Sequence, residues 1–164
     1  MALGRGAARS VSVAGATGDT PLSDLIAAHV ASRSSQTWTR FLDGFRKSQV
    51  GVVAVGAPEG VAAEFVTTAD RPVSVGLTTN AEGRRMALAY ADPAAFAVRY
   101  GRSFNAALIG DALLATVMLN PECQGVLVNS ALAEISVVID RPTAESLTRP
   151  GGERPVGKPW WKFW

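Results

Sequence analysis

The chain has 164 residues, 48% of them hydrophobic and 18% charged, enough for one domain with a proper core and unlike a disordered chain. Sixteen basic and fourteen acidic side chains leave a formal charge of +2, too small to imply nucleic-acid binding. One cysteine excludes an internal disulfide framework, and one histidine with that single cysteine excludes the usual multi-ligand zinc sites.

Residues 1–19, rich in Gly, Ala, Ser and Thr, read as a flexible tail. The folded domain is expected over 20–147. Thr20 and Pro21 look like an N-cap followed by a first helical residue. Leu22, Leu25, Ile26 and Val30 then share one helical face. Ser35 starts a second helix in which Trp38, Phe41, Leu42 and Phe45 recur at helical spacing, with Gly44 a weak point. Val50 to Val55 reads as a short strand ending at Gly56-Ala57-Pro58.

From Pro72 to Thr79, Val73, Val75 and Leu77 alternate with polar or small residues, which predicts a half-buried strand. Asn80 to Gly83 supplies turn chemistry, and Arg84 to Tyr90 returns as a strand, so 72–90 is a hairpin. Asp92-Pro93 predicts a capped helix to Tyr100, closed by Gly101. Residues 103–110 read as a short helix or an extended connection. Leu114 to Leu119 reads as a strand stopped by Asn120-Pro121, and Val126 to Val128 as another. Ser130 is expected to cap a helix to about Val138, and Pro142 to Leu147 to form a last helical turn. Residues 148–164 are a Pro/Gly linker with an aromatic tail. The pattern predicts a single α+β domain, a mixed or antiparallel β-sheet covered by helices.

Charge is uneven. Residues 1–49 carry six basic and three acidic side chains, residues 50–140 five and nine, and residues 141–164 five and two, giving +3, −4 and +3. Solubility is the plain reading; contact of the basic ends with an acidic partner is the sharper one.

Few motifs carry chemistry. Gly15-Ala16-Thr17-Gly18 is superficially similar to a dinucleotide-binding turn, but Pro21 stands where a third small residue belongs. His29 lies among apolar neighbours and reads as a satisfied helix residue. Cys123 has no neighbour in sequence that would activate its thiol. The carboxylates form no paired motif. Arg84 and Arg85 adjoin a strand and could take an anion, with solvated turn charges the simpler reading. No catalytic residue, cofactor or metal is assigned. Arg84, Arg85, Asp92 and Asn120 remain as candidates for a ligand pocket.

The most unusual segment is Trp160-Trp161-Lys162-Phe163-Trp164, which holds three of the four tryptophans. It could fold onto its own domain, dock on a partner protein, where Trp is the favoured anchor, or sit at a membrane interface. Docking on protein ranks ahead of membrane.

Gly83 to Phe96, Val117 to Pro121 with its Asn-Pro step, and Gly125 to Ala131 together resemble the SseB N-terminal domain family over roughly residues 35–140. The two ends of the chain carry no motif of that family. The resemblance implies an α+β domain without an established catalytic site. The sequence-level expectation is a cytoplasmic bacterial accessory protein, secretion-associated or immunity-like. It would bind an unidentified protein partner and no nucleic acid, with homo-oligomerisation open. The alternatives are a peripheral membrane protein held by its tail, or a small-molecule-binding domain or unrecognised enzyme.

Overall fold

The structure is a computed structural model that describes residues 20–55, 74–101, 103–129 and 135–150. The expectations for the tail at 1–19, for residues 151–164 of the linker and tail expected from 148, and for Ser130 as a cap lie outside the described residues.

Two helices come first, α1 (Leu22–Ser32) and α2 (Ser35–Lys47). Helix α2 starts at Ser35 as expected, and its cap is Ser34, whose hydroxyl accepts the Thr37 amide at 3.2 Å. The aromatic stripe of α2 faces inward: Phe41 and Phe45 are fully buried and Trp38 is half-buried. Burying each phenylalanine stabilises the fold by about 2–3 kcal/mol. Gly44 is a contact rather than a weakness, because a Cβ there would overlap the Leu25 side chain of α1.

The strands are β1 (Gln49–Val52), β2 (Ala54–Val55), β3 (Ser74–Val75), β4 (Leu77–Thr79) and β5 (Arg85–Tyr90). The expected hairpin holds in part: β4 pairs with β5, with Thr79 opposite Arg85, but the strand expected over 72–79 breaks at Gly76 and β3 pairs with β2 in a separate two-stranded sheet. Its turn is held by the Asn80 side-chain oxygen, which accepts the amides of Glu82 at 3.1 Å and Arg84 at 2.8 Å. After β5 come α3 (Pro93–Tyr100), β6 (Ala106–Ile109), α4 (Gly110–Leu119), β7 (Gly125–Val128), β8 (Val137–Asp140) and α5 (Arg141–Thr148).

Two expectations fail here. Leu114–Leu119 is helical: Leu113, Leu114 and Val117 make one buried face, while Leu119 on the other side is 85% exposed. An apolar run covering both faces hides its own period. Of the two readings of 103–110 the extended one holds, with residues 106–109 forming the strand β6. Val137 and Val138 belong to β8 rather than to a helix end, since Val137 and Ile139 alternate inward and pair antiparallel with β7. Asn120-Pro121 therefore ends a helix, not a strand.

The main sheet runs β6-β1-β5-β7-β8, with β4 also on β5. Among the described strand pairs only β5–β7 is parallel. The architecture is α+β with a mixed sheet. Register puts Val52, Ala89, Val128 and Val137 in one row, and Ala87, Val126 and Ile139 in the next. That face packs with Leu22, Ile26, Phe41, Phe45, Leu113, Leu114 and Ala144 from α1, α2, α4 and α5 into one core. The opposite face carries Met86, Leu88, Tyr90, Leu127 and Val138. At its Tyr90 end, Phe96 of α3 and Phe104 close over the sheet at centroid distances of 4.7 and 5.8 Å. Gly51 permits this, because a Cβ there would come within 2.8 Å of the Phe104 ring.

Candidate functional site

Arg84, Arg85, Asp92 and Asn120 are the ligand-pocket candidates of the sequence, and the fold separates them. Arg85 opens β5 and Asp92 follows its far end, so seven residue steps, about 23 Å when extended, separate them. Arg85 is ion-paired with Glu122, and the pair is solvent-exposed. Arg84 lies outside the strand and reaches Glu82 at 3.5 Å. Asn120 sits in the turn after α4, where its side-chain oxygen accepts the Glu122 amide at 2.9 Å. Exposed pairs of this kind contribute little to stability and leave no enclosed site.

Asp92 behaves differently. It stands at the start of α3 with φ +46°, and its side chain does not cap that helix. Its carboxylate instead accepts the Leu22 amide at 3.0 Å, the Ser23 amide at 2.8 Å and the Ser23 hydroxyl. It therefore caps α1, seventy residues earlier in the chain. The predicted cap at Thr20 is not used: the N-cap position is Pro21, which has no side-chain acceptor. A carboxylate at a helix N-terminus satisfies orphan amides and complements the helix dipole.

Beside Asp92, at the carboxyl ends of the parallel strands β5 and β7, is a cleft of about 200 Å³. Asp92, Arg99 and Asn129 supply its polar wall, and Ile26, Phe96 and Tyr100 its apolar wall. Asn129 is buried at φ +60°, a conformation asparagine tolerates better than most residues. Its side-chain oxygen accepts the Ala91 amide at 2.8 Å, and its own amide donates to the Ala89 carbonyl at 2.8 Å. These two bonds stitch the ends of β5 and β7 together. In the sequence Asn129 stands with Asn120 and Asp92 as a candidate pocket residue for which structural work is the preferred reading.

Arg141 was also missed. Its guanidinium donates to the carbonyls of Met118, Asn120 and Cys123 at 3.2, 2.9 and 2.7 Å, closing the C-terminus of α4 with positive charge.

The single histidine is buried against Trp38, with ring centroids 5.0 Å apart, and its Nδ1 lies 3.2 Å from the Thr37 hydroxyl. Burial holds its pKa below the ordinary value, and the nearby Arg33 charge adds to the shift. It is a satisfied core histidine, as its apolar neighbours suggested. Cys123 is buried, with its thiol 3.2 Å from the Gly125 carbonyl. Burial raises the Tyr90 phenol above its usual pKa, opposed by a hydrogen bond with Ser103. Among the described residues no group of three or more His, Cys, Asp or Glu side chains is placed to hold a metal, and no helix is long and apolar enough to cross a membrane. The tail residues Trp160, Trp161, Lys162, Phe163 and Trp164 lie outside the described residues.

No family model, curated protein or solved structure matches this chain.

Proposed function

We propose that the chain is a non-catalytic protein-interaction module, an SseB-like accessory protein of the bacterial cytoplasm that docks on another protein through residues 160–164. The observation that carries this reading is the placement of three tryptophans and a phenylalanine behind a Pro/Gly spacer that follows α5. Trp supplies a large apolar contact at low entropic cost, and a short aromatic segment on a slack tether can seat in a partner's groove. The role of the polar candidates agrees with it: Asp92, Asn120 and Arg85 all serve contacts within the fold.

The test is affinity capture from the native host, comparing the full chain with a version truncated after Gly157. Trp160→Ala/Trp161→Ala in the full chain serves as a third bait. A partner retained by the full chain and lost with both variants supports the reading. Equal capture by all three moves the contact to the folded domain and refutes the tail's role.

A second reading, small-molecule binding, draws on the cleft at Asp92, Arg99 and Asn129. A thermal-shift screen of small polar metabolites, compared between the native protein and Asn129→Ala, tests it.

A further inference from the structure

The cleft beside Asp92 lies at the carboxyl ends of β5 and β7, and the carboxyl ends of parallel strands are where open sheets hold ligands. Its polar groups are unequally used. The Asp92 carboxylate already accepts the Leu22 and Ser23 amides and the Ser23 hydroxyl, so its charge is engaged in capping α1 and offset by that helix's dipole. Asn129 differs. It is 6% exposed, and its Oδ1 accepts the Ala91 amide, which only the oxygen of a side-chain amide can do. That bond fixes the orientation of the amide and puts Nδ2 on the other branch. Among the described residues nothing accepts from this Nδ2, and it is not sealed in the interior as the Asn80 Nδ2 is. A buried side chain that has used its acceptor and presents its donor to a cleft is matched by an acceptor on a ligand.

Arg99 adds positive charge to the same wall, and the five donors of a guanidinium let it hold more than one acceptor. Its guanidinium carbon lies 5.0 Å from the centroid of the Tyr100 ring, and Tyr100 packs on Phe96 at 4.8 Å. The two rings and Ile26 give the cleft a flat apolar side. Its volume of about 200 Å³ is about seven waters' worth, which suits a small organic molecule. We infer that this cleft binds a small organic carboxylate: the carboxylate oxygens accept from Asn129 Nδ2 and the Arg99 guanidinium, and the apolar body lies against Phe96 and Tyr100. The inference rests on the second reading above, small-molecule binding at this cleft, and adds the class of molecule bound.

The test is an NMR titration of the ¹⁵N-labelled full chain at neutral pH with benzoate, and with benzamide and benzylamine as its neutral and cationic counterparts. Benzoate should shift the Asn129 Nδ2 resonance and the backbone amides of Ala91, Ala95 and Tyr100. Its Kd should be at or below about 1 mM, a range open to a ligand of about nine heavy atoms. Benzamide and benzylamine should bind about tenfold more weakly or worse, because neither offers a charged acceptor. Asn129→Asp keeps an oxygen for the Ala91 amide and suits the left-handed backbone, so the fold is retained. It replaces the Nδ2 donor with a second carboxylate oxygen and should abolish benzoate binding. Arg99→Gln, at an exposed position, should weaken that binding several-fold. Benzoate binding undiminished in both variants overturns the inference, as does equal binding of benzoate and benzamide. Binding of benzamide or benzylamine without binding of benzoate overturns the carboxylate class and leaves the small-molecule reading standing. No shift with any of the three overturns both.

Discussion

Asp92 joins two distant parts of the chain, and its removal gives a graded prediction. Replacing it with glycine keeps the left-handed backbone accessible but leaves the Leu22 and Ser23 amides without their acceptor. Loss of an N-cap costs about 0.5–2 kcal/mol, and loss of the negative charge at the helix start about 0.5 more. The expected destabilisation is therefore about 2 kcal/mol. Alanine adds a left-handed penalty of about 1 kcal/mol, for a total near 3. Asparagine keeps one acceptor and tolerates the backbone, so its effect should stay near 1 kcal/mol. Urea unfolding followed by far-UV circular dichroism gives the ranking, Asn mildest and Ala most severe. Hydrogen exchange should show the Leu22 and Ser23 amides losing protection in the glycine variant. A glycine variant as stable as the parent, with those amides still protected, would refute the cross-chain cap.

Arg141→Ala should destabilise by about 2–3 kcal/mol in urea titrations, since several carbonyls at the end of α4 lose a charged donor; Arg141→Lys should recover part of that. Gly110→Ala should lower stability by about 2 kcal/mol or more, because its new Cβ would collide with the Phe45 backbone carbonyl; an unchanged melting temperature would contradict this. His29 is held below its ordinary pKa of 6.5, so below that pH the unfolded chain binds the proton more readily than the folded one. Stability should therefore be fully present above pH 6.5 and fall as pH drops toward the lowered folded value. Urea midpoints across that window should decline less in His29→Gln.

The hairpin of β4 and β5 was legible because alternation and Asn80-to-Gly83 turn chemistry agree locally. Helix α2 was legible from its aromatic spacing, and α3 from Asp92-Pro93 and Gly101. The helix α4 was not, since Ala112 to Leu119 is apolar nearly all round and its period emerges only once Leu113, Leu114 and Val117 meet the sheet. Strand β6 is too short to show its alternation, and β8 owes its form to pairing with β7. The polar centre was half legible: Asp92 announced a cap, but the helix it serves is set by the fold, which brings the end of β5 against α1. Arg84, Arg85 and Asn120 were grouped by chemistry with Asp92, and the length of β5 keeps them apart.

The most direct test of the central claim is capture of the partner by the full chain and by the version truncated after Gly157, at equal bait concentration. The account predicts that the partner is retained by the full chain and lost on truncation. The same partner held equally by the truncated chain would contradict it.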